Sequence, residues 1–166
     1  TVEGAVPSVG TDGEIFVAWS FADKIYFDKS MHGGLTWLKK DIVVCDQPGG
    51  WNFEVPGLNR TNGMPITGVD ISENKFKGTI YINFSDQRNG ENDTDIFIVK
   101  STDGGNHWSS PKRINQDKTK THQFLTWMSI DPKTGFIYIL YYDKSKYTNA
   151  LTDVVLAIST NGGLRI

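Results

Sequence analysis

The side chains best equipped for chemistry crowd into one stretch, residues 85–94, which reads Ser-Asp-Gln-Arg-Asn-Gly-Glu-Asn-Asp-Thr. It is dense in carboxylates and amides and holds one guanidinium. Arg88 with Asp86 and Asp93 can serve a ligand, or can be no more than a surface ion network. Asn89 to Asp95 alternates acidic and amide oxygens, the donor type Ca²⁺ takes, but lacks the ligand pattern of an EF-hand loop, so no metal site is expected. Residues 119–126 add His122 and Gln123, and residues 142–152 add Tyr142, Asp143, Lys144, Lys146 and Tyr147. The link 46–65 carries Trp51, Glu54, Arg60 and Asn62, stiffened by Pro48, Pro56 and Pro65. His32, His107 and His122 share no spacing, which argues against zinc.

What positions these residues is a repeated β unit. One phrase recurs at Ser30-Met31-His32-Gly33-Gly34-Leu35-Thr36-Trp37, at Ser101-Thr102-Asp103-Gly104-Gly105-Asn106-His107-Trp108, and at Ser159-Thr160-Asn161-Gly162-Gly163-Leu164-Arg165-Ile166. Upstream of each lies a glycine and an apolar run with an aromatic end: 13–19, 78–84 and 135–141. A second run, 24–29, 95–100 or 153–158, leads into the turn. Short strands are expected before the glycine, near Val9, Val69 and Ile130, and after the turn, at 38–44 and 112–115. Four short strands per unit, rich in β-branched and aromatic residues and divided by Gly, Asp and Asn, read as an antiparallel meander. Units of this kind repeating every several tens of residues are the mark of propeller blades.

The expected fold is therefore all-β, a partial propeller of four-stranded antiparallel blades, two complete and most of a third. The chain reads as one segment, 1–166, with repeats at approximately 1–45, 66–115 and 127–166 and the long link 46–65 between the first two. Consecutive glycines permit positive φ, and Ser and Asp side chains can bond nearby amides to hold a tight reversal. Ser30, Gly33, Trp37, Ser101, Asp103, Gly105, Trp108, Ser159 and Gly162 are thus expected to be turn staples. A meander sends successive connections to opposite ends of the blade, so the turns share one end, while 20–23, 46–65, 85–94, 119–126 and 142–152 share the other. Asp86 and Asp143 occupy matching places in the repeat, which suits a carboxylate that bonds loop amides better than an acid/base couple. Tyr141 matches Trp19 and Phe84 and is expected in the core, whereas Tyr142 matches Ser20 and Ser85.

The phrase resembles the Asp-box, or bacterial neuraminidase repeat, most fully at Ser101 to Trp108. The first copy has His32 in place of the Asp and the third has Asn161. The stretch from Gly78 to Pro111 looks like the first-blade region of sialidases. That resemblance implies a six-bladed wheel, of which these repeats would make about half, and a glycan or sialoside ligand on the end opposite the turns. By it Arg88 is placed like a substrate-binding arginine and Asp93 like the catalytic acid/base, with Asp95 as runner-up. Arg60, Asp86 and Tyr142 are further candidates for substrate contact. The Phe-Arg-Ile-Pro of sialidases is absent around Arg60, and nothing resembles the later blades that bring the remaining arginines, the Glu and the nucleophilic Tyr. Asp-boxes also occur in non-catalytic propellers, so a glycan- or protein-binding module is the alternative to a hydrolase. Either a longer protein supplies the missing blades or a second copy closes the ring.

Composition narrows the partners. With 17 basic against 19 acidic residues there is no basic excess for nucleic acid, and no apolar run is long enough to span a membrane. No cofactor is expected. Cys45 stands alone, which excludes an internal disulfide and suits a buried thiol. Secretion or display at the cell surface is the expectation that goes with the resemblance, although no signal peptide is visible.

Overall fold

The computed structural model describes residues 2–165; Ile166, at the end of the third repeated phrase, lies outside them. Among the described residues eleven strands form three antiparallel sheets. The first holds β1 (Glu3–Val9), β2 (Ile15–Phe21), β3 (Lys24–Ser30) and β4 (Ile42–Asp46), hydrogen-bonded in that order. The second holds β5 (Ile66–Val69), β6 (Ile80–Asp86), β7 (Asp95–Ser101) and β8 (Lys112–Arg113). The third holds β9 (Gln123–Ile130), β10 (Ile137–Asp143) and β11 (Asp153–Ser159). This is a partial propeller, with two four-stranded blades and three strands of a third.

Burial explains the stacking. In β3, Lys-Ile-Tyr-Phe-Asp-Lys-Ser, the apolar residues alternate, and of these only Ile25 and Phe27, on one side, are fully buried. In β6 and β7 both sides are apolar, and both are covered. Ile80, Ile82, Phe84, Phe97 and Val99 meet Phe16, Ala18, Ile25 and Phe27 of the first sheet. Tyr81, Ile96 and Ile98 meet Met128, Ile137, Ile139 and Tyr141 of the third. Each such Phe or Ile removed from water contributes about 1.5–3 kcal/mol, so the two seams fix the order of the sheets.

Outer strands differ from the sequence reading. The fourth strand of the first unit begins at Ile42, not Leu38, and that of the second stops at Arg113. Residues 37–41 leave the ladder because their apolar members find no seam; Trp37 stays 44% exposed. The third unit has a bulge between Leu140 and Tyr142, where Leu125 adopts φ 52°. That left-handed residue turns Phe124 under the link, against Phe53 and Val55. The link thus spans the loop-bearing end from the first sheet to the third.

The repeated turns share one bonding scheme. In the second, Ser101 Oγ accepts Gly105 N–H at 2.9 Å and donates to Asp103 Oδ1 at 2.8 Å. Asp103 Oδ1 also accepts the amides of Asn106 and His107. The bond from the His107 amide, then the His107 ring, holds this carboxyl well below the usual range. Ser30 and Ser159 make the same bond to Gly34 N and Gly163 N. Trp108 donates its indole N–H to Gly105 O and sets its ring edge on Phe27, 5.0 Å between centroids, so this aromatic reaches across to the preceding sheet.

Candidate functional site

The loop-bearing end is built on amide side chains buried at the mouths of the seams. Gln47, with no exposure, accepts Ser20 Oγ–H at 2.6 Å and donates to Gly63 O and Ser85 O, tying the first sheet to the link and to β6. At the second seam Asn115 donates to Asp95 Oδ1 at 2.6 Å and Gln123 Oε1 at 2.7 Å, and Gln123 donates on to Asp143 Oδ1 at 2.9 Å. Arg113 donates to Asp95 and Asp117, at 2.6 and 2.9 Å. Arg113, Asn115 and Asp117 were not among the sequence candidates. The signal for them lay in their place at and just beyond the end of a short fourth strand, where Asp46 and Gln47 stand in the first unit.

The candidates separate into groups. Arg88 turns back onto the first seam: its Nε and Nη2 bind the wholly buried Asp86, Nη2 also reaches Asp46 O, and the guanidinium lies 4.5 Å from the Phe97 ring centre. Asp86 Oδ1 accepts Arg88 N–H, and Asp143 Oδ1 accepts Ser145 N–H at 2.7 Å, so both matched carboxylates brace a loop amide two residues on. Asp93 faces the other way. Its Oδ1 is buried without a hydrogen bond, and burial, then the charge of Asp95, raises its carboxyl above the usual range. Asp95 is fully buried beneath Asn89, Arg113 and Asn115. Tyr142 stacks on Phe124 on the outer side of the third sheet, 40% exposed. No three potential metal-ligating side chains converge among the described residues.

Two clefts open between the loops. One, of about 840 Å³, is walled by the link at Asn52 to Thr61 together with Gln87, Glu91 and Asn92, and Arg60 stands on its exposed wall. The other, of about 450 Å³, lies across Pro56 and Asn92 between His122 and the 144–150 loop. Both sizes suit a small ligand. Asn92 touches both clefts, while Asp93 and Arg88 line neither.

No protein-family model and no curated protein matches the sequence. Solved structures do. The Hadza microbial sialidase Hz136 superposes with a TM-score of 0.64 at 14% identity, over 99% of this chain and 36% of that one. An endo-arabinase from Bacteroides thetaiotaomicron VPI-5482 superposes at 0.57, also 14% identical, over 99% of this chain and 58% of that one. The chain spans well under two thirds of either protein, and at this identity the likeness is one of fold. Its stacked sheets are those of part of a β-propeller.

Proposed function

We propose that this chain supplies two blades and most of a third of a sialidase-type glycoside hydrolase, exported from the cell, and that a glycan's terminal sugar engages the loop-bearing end. The observation that carries this reading is the superposition of nearly the whole chain on a sialidase more than twice its length. In this reading Asp93 is the general acid/base. A carboxyl raised by burial and by Asp95 holds its proton nearer neutrality, which suits protonation of a departing glycosidic oxygen. Arg88 contacts substrate only if its pair with Asp86 opens, whereas Arg60 is already exposed. The nucleophile comes from elsewhere: Tyr147 donates its hydroxyl to Asp153 at 2.7 Å, and that bond holds the phenol above its ordinary value, the reverse of activation.

The direct test is Asp93→Ala in the longest natural form of the protein, assayed with a fluorogenic sialoside. Hydrolysis is expected to fall roughly 10²–10⁴-fold, the share of a general acid; the parental rate would remove Asp93 from the role. These 166 residues alone are expected to give no turnover. The second reading, a non-catalytic Asp-box propeller that captures glycan or protein, is favoured by one observation: Arg113, the guanidinium whose charge reaches Asp93, is already paired with Asp95 and Asp117. Glycan capture by parent and variant alike, with hydrolysis by neither, would decide for it.

A further inference from the structure

Lys144 is the least expected side chain at this end of the molecule. It is 5% exposed, yet among the described residues its ammonium has no carboxylate within ion-pair distance. Its Nζ makes one hydrogen bond, to Asn149 O at 2.5 Å, with two N–H bonds to spare. Lysine is rarely buried unpaired, because an ammonium taken from water without a counter-ion is costly. The 450 Å³ cleft beside it is walled by Lys120, His122, Tyr147, Asn92 and Asn149 and includes no Asp or Glu. His122 is held against Lys144 by the bond from Lys144 N to His122 O at 3.1 Å. Its Nδ1 meets Thr94 Oγ1 at 2.9 Å. That hydroxyl also accepts Gln87 Nε2–H at 3.3 Å; in the tautomer where it gives its own proton to Nδ1, the neutral ring carries its hydrogen on Nε2 as a donor.

We infer that this cleft binds the anionic group of an acidic saccharide, a carboxylate or a sulfate ester, with Lys144 as its counter-ion and His122 and Lys120 as further donors. The anion follows from the unpaired ammonium; the sugar rests on the glycan reading above. Asn92, Thr121, Thr148 and Asn149 supply the uncharged groups that hydroxyls bond. A purely structural Lys144, stapling the 144–149 loop, would ask for nothing from solution.

The test follows the amide and imidazole signals of His122 and Lys144 by NMR. The probes are methyl glucuronide, glucose 6-sulfate, methyl glucoside and inorganic sulfate. Saturable shifts are expected with at least one acidic sugar and not with the glucoside. Lys144→Met should weaken that binding roughly tenfold or more, the loss of one charge-assisted hydrogen bond. Lys120→Ala, an exposed site that does not threaten folding, should weaken it a few-fold, and added salt should weaken it further. Which acidic sugar responds tells carboxylate from sulfate ester. Glucoside bound as well as glucuronide, and equally by Lys144→Met, would overturn the inference while leaving the glycan reading intact. A response to inorganic sulfate alone would overturn the saccharide assignment, and silence to every probe would overturn the whole. Should Lys144→Met fail to fold, indifference of wild-type binding to salt and to Lys120→Ala would overturn it equally.

Discussion

Arg88 and Lys144 are two cations on one rim, and burial gives them opposite fates. Arg88 closes on a buried carboxylate and two aromatic rings; Lys144 meets one carbonyl. Arg88→Ala is therefore expected to unfold more easily, by about 3 kcal/mol, because it strands the Asp86 charge inside the seam. Denaturation showing wild-type stability would return Arg88 to a purely ligand-facing role. His122 is expected to titrate below its ordinary value of 6.5, since burial and then Lys144 oppose its charge. A base so depressed binds protons more readily unfolded, so the stability it contributes is full above 6.5 and is lost as pH falls through its folded pKa. Proton NMR of the ring, with and without an acidic sugar, reads the midpoint. Burial likewise pushes the Cys45 thiol up to about 12 against the pull of Arg88, so a thiol reagent at mild alkaline pH should label it slowly until denaturant is added.

At the scale of elements, the turns were legible because their chemistry is local. A serine and two glycines fix a reversal wherever they fall, and all three copies do so. Gly105 makes the point sharply: it sits at φ 85° with the Phe27 ring where a Cβ would go. Gly105→Ala should cost about 1–2 kcal/mol for the left-handed backbone and a further ~1–3 kcal/mol for overpacking. Together these should lower Tm by roughly 5 °C or more, while Gly13→Ala, which meets open space, should show the backbone cost alone. The site was less legible. That Arg88 lies over Phe97 depends on strand register, and that Lys144 is buried depends on three segments far apart in sequence. In one dimension a lysine among polar residues reads as solvated, and a link with three prolines does not reveal that Phe53 and Val55 seek Phe124.

Across the whole molecule, the third sheet has an uncovered apolar side. Trp127, Leu140 and Leu156 lie opposite one another in register, 59%, 46% and 53% exposed, with Val154 and Ile158 beside them. A patch of this kind drives association. The isolated chain is expected to bind hydrophobic dyes and to self-associate with concentration, and Leu140→Lys with Leu156→Lys should suppress both in sedimentation. A double variant that associates as readily as its parent would place the sticky surface elsewhere.

Lys29 donates to Gly104 O in the second sheet's turn, and Lys100, at the same place in its own repeat, donates to Gly162 O in the third's. Each fastening is thus encoded half in one unit and half in the next. A unit duplicated in tandem inherits both halves, a lysine to give and a carbonyl to receive, and its new neighbour fits without further change. Such a grammar lets a wheel gain or lose spokes by copying alone. It is suspended at Ile158, where the lysine's place is taken by an apolar residue that faces outward. On that side the third unit presents oil where the first two present charge.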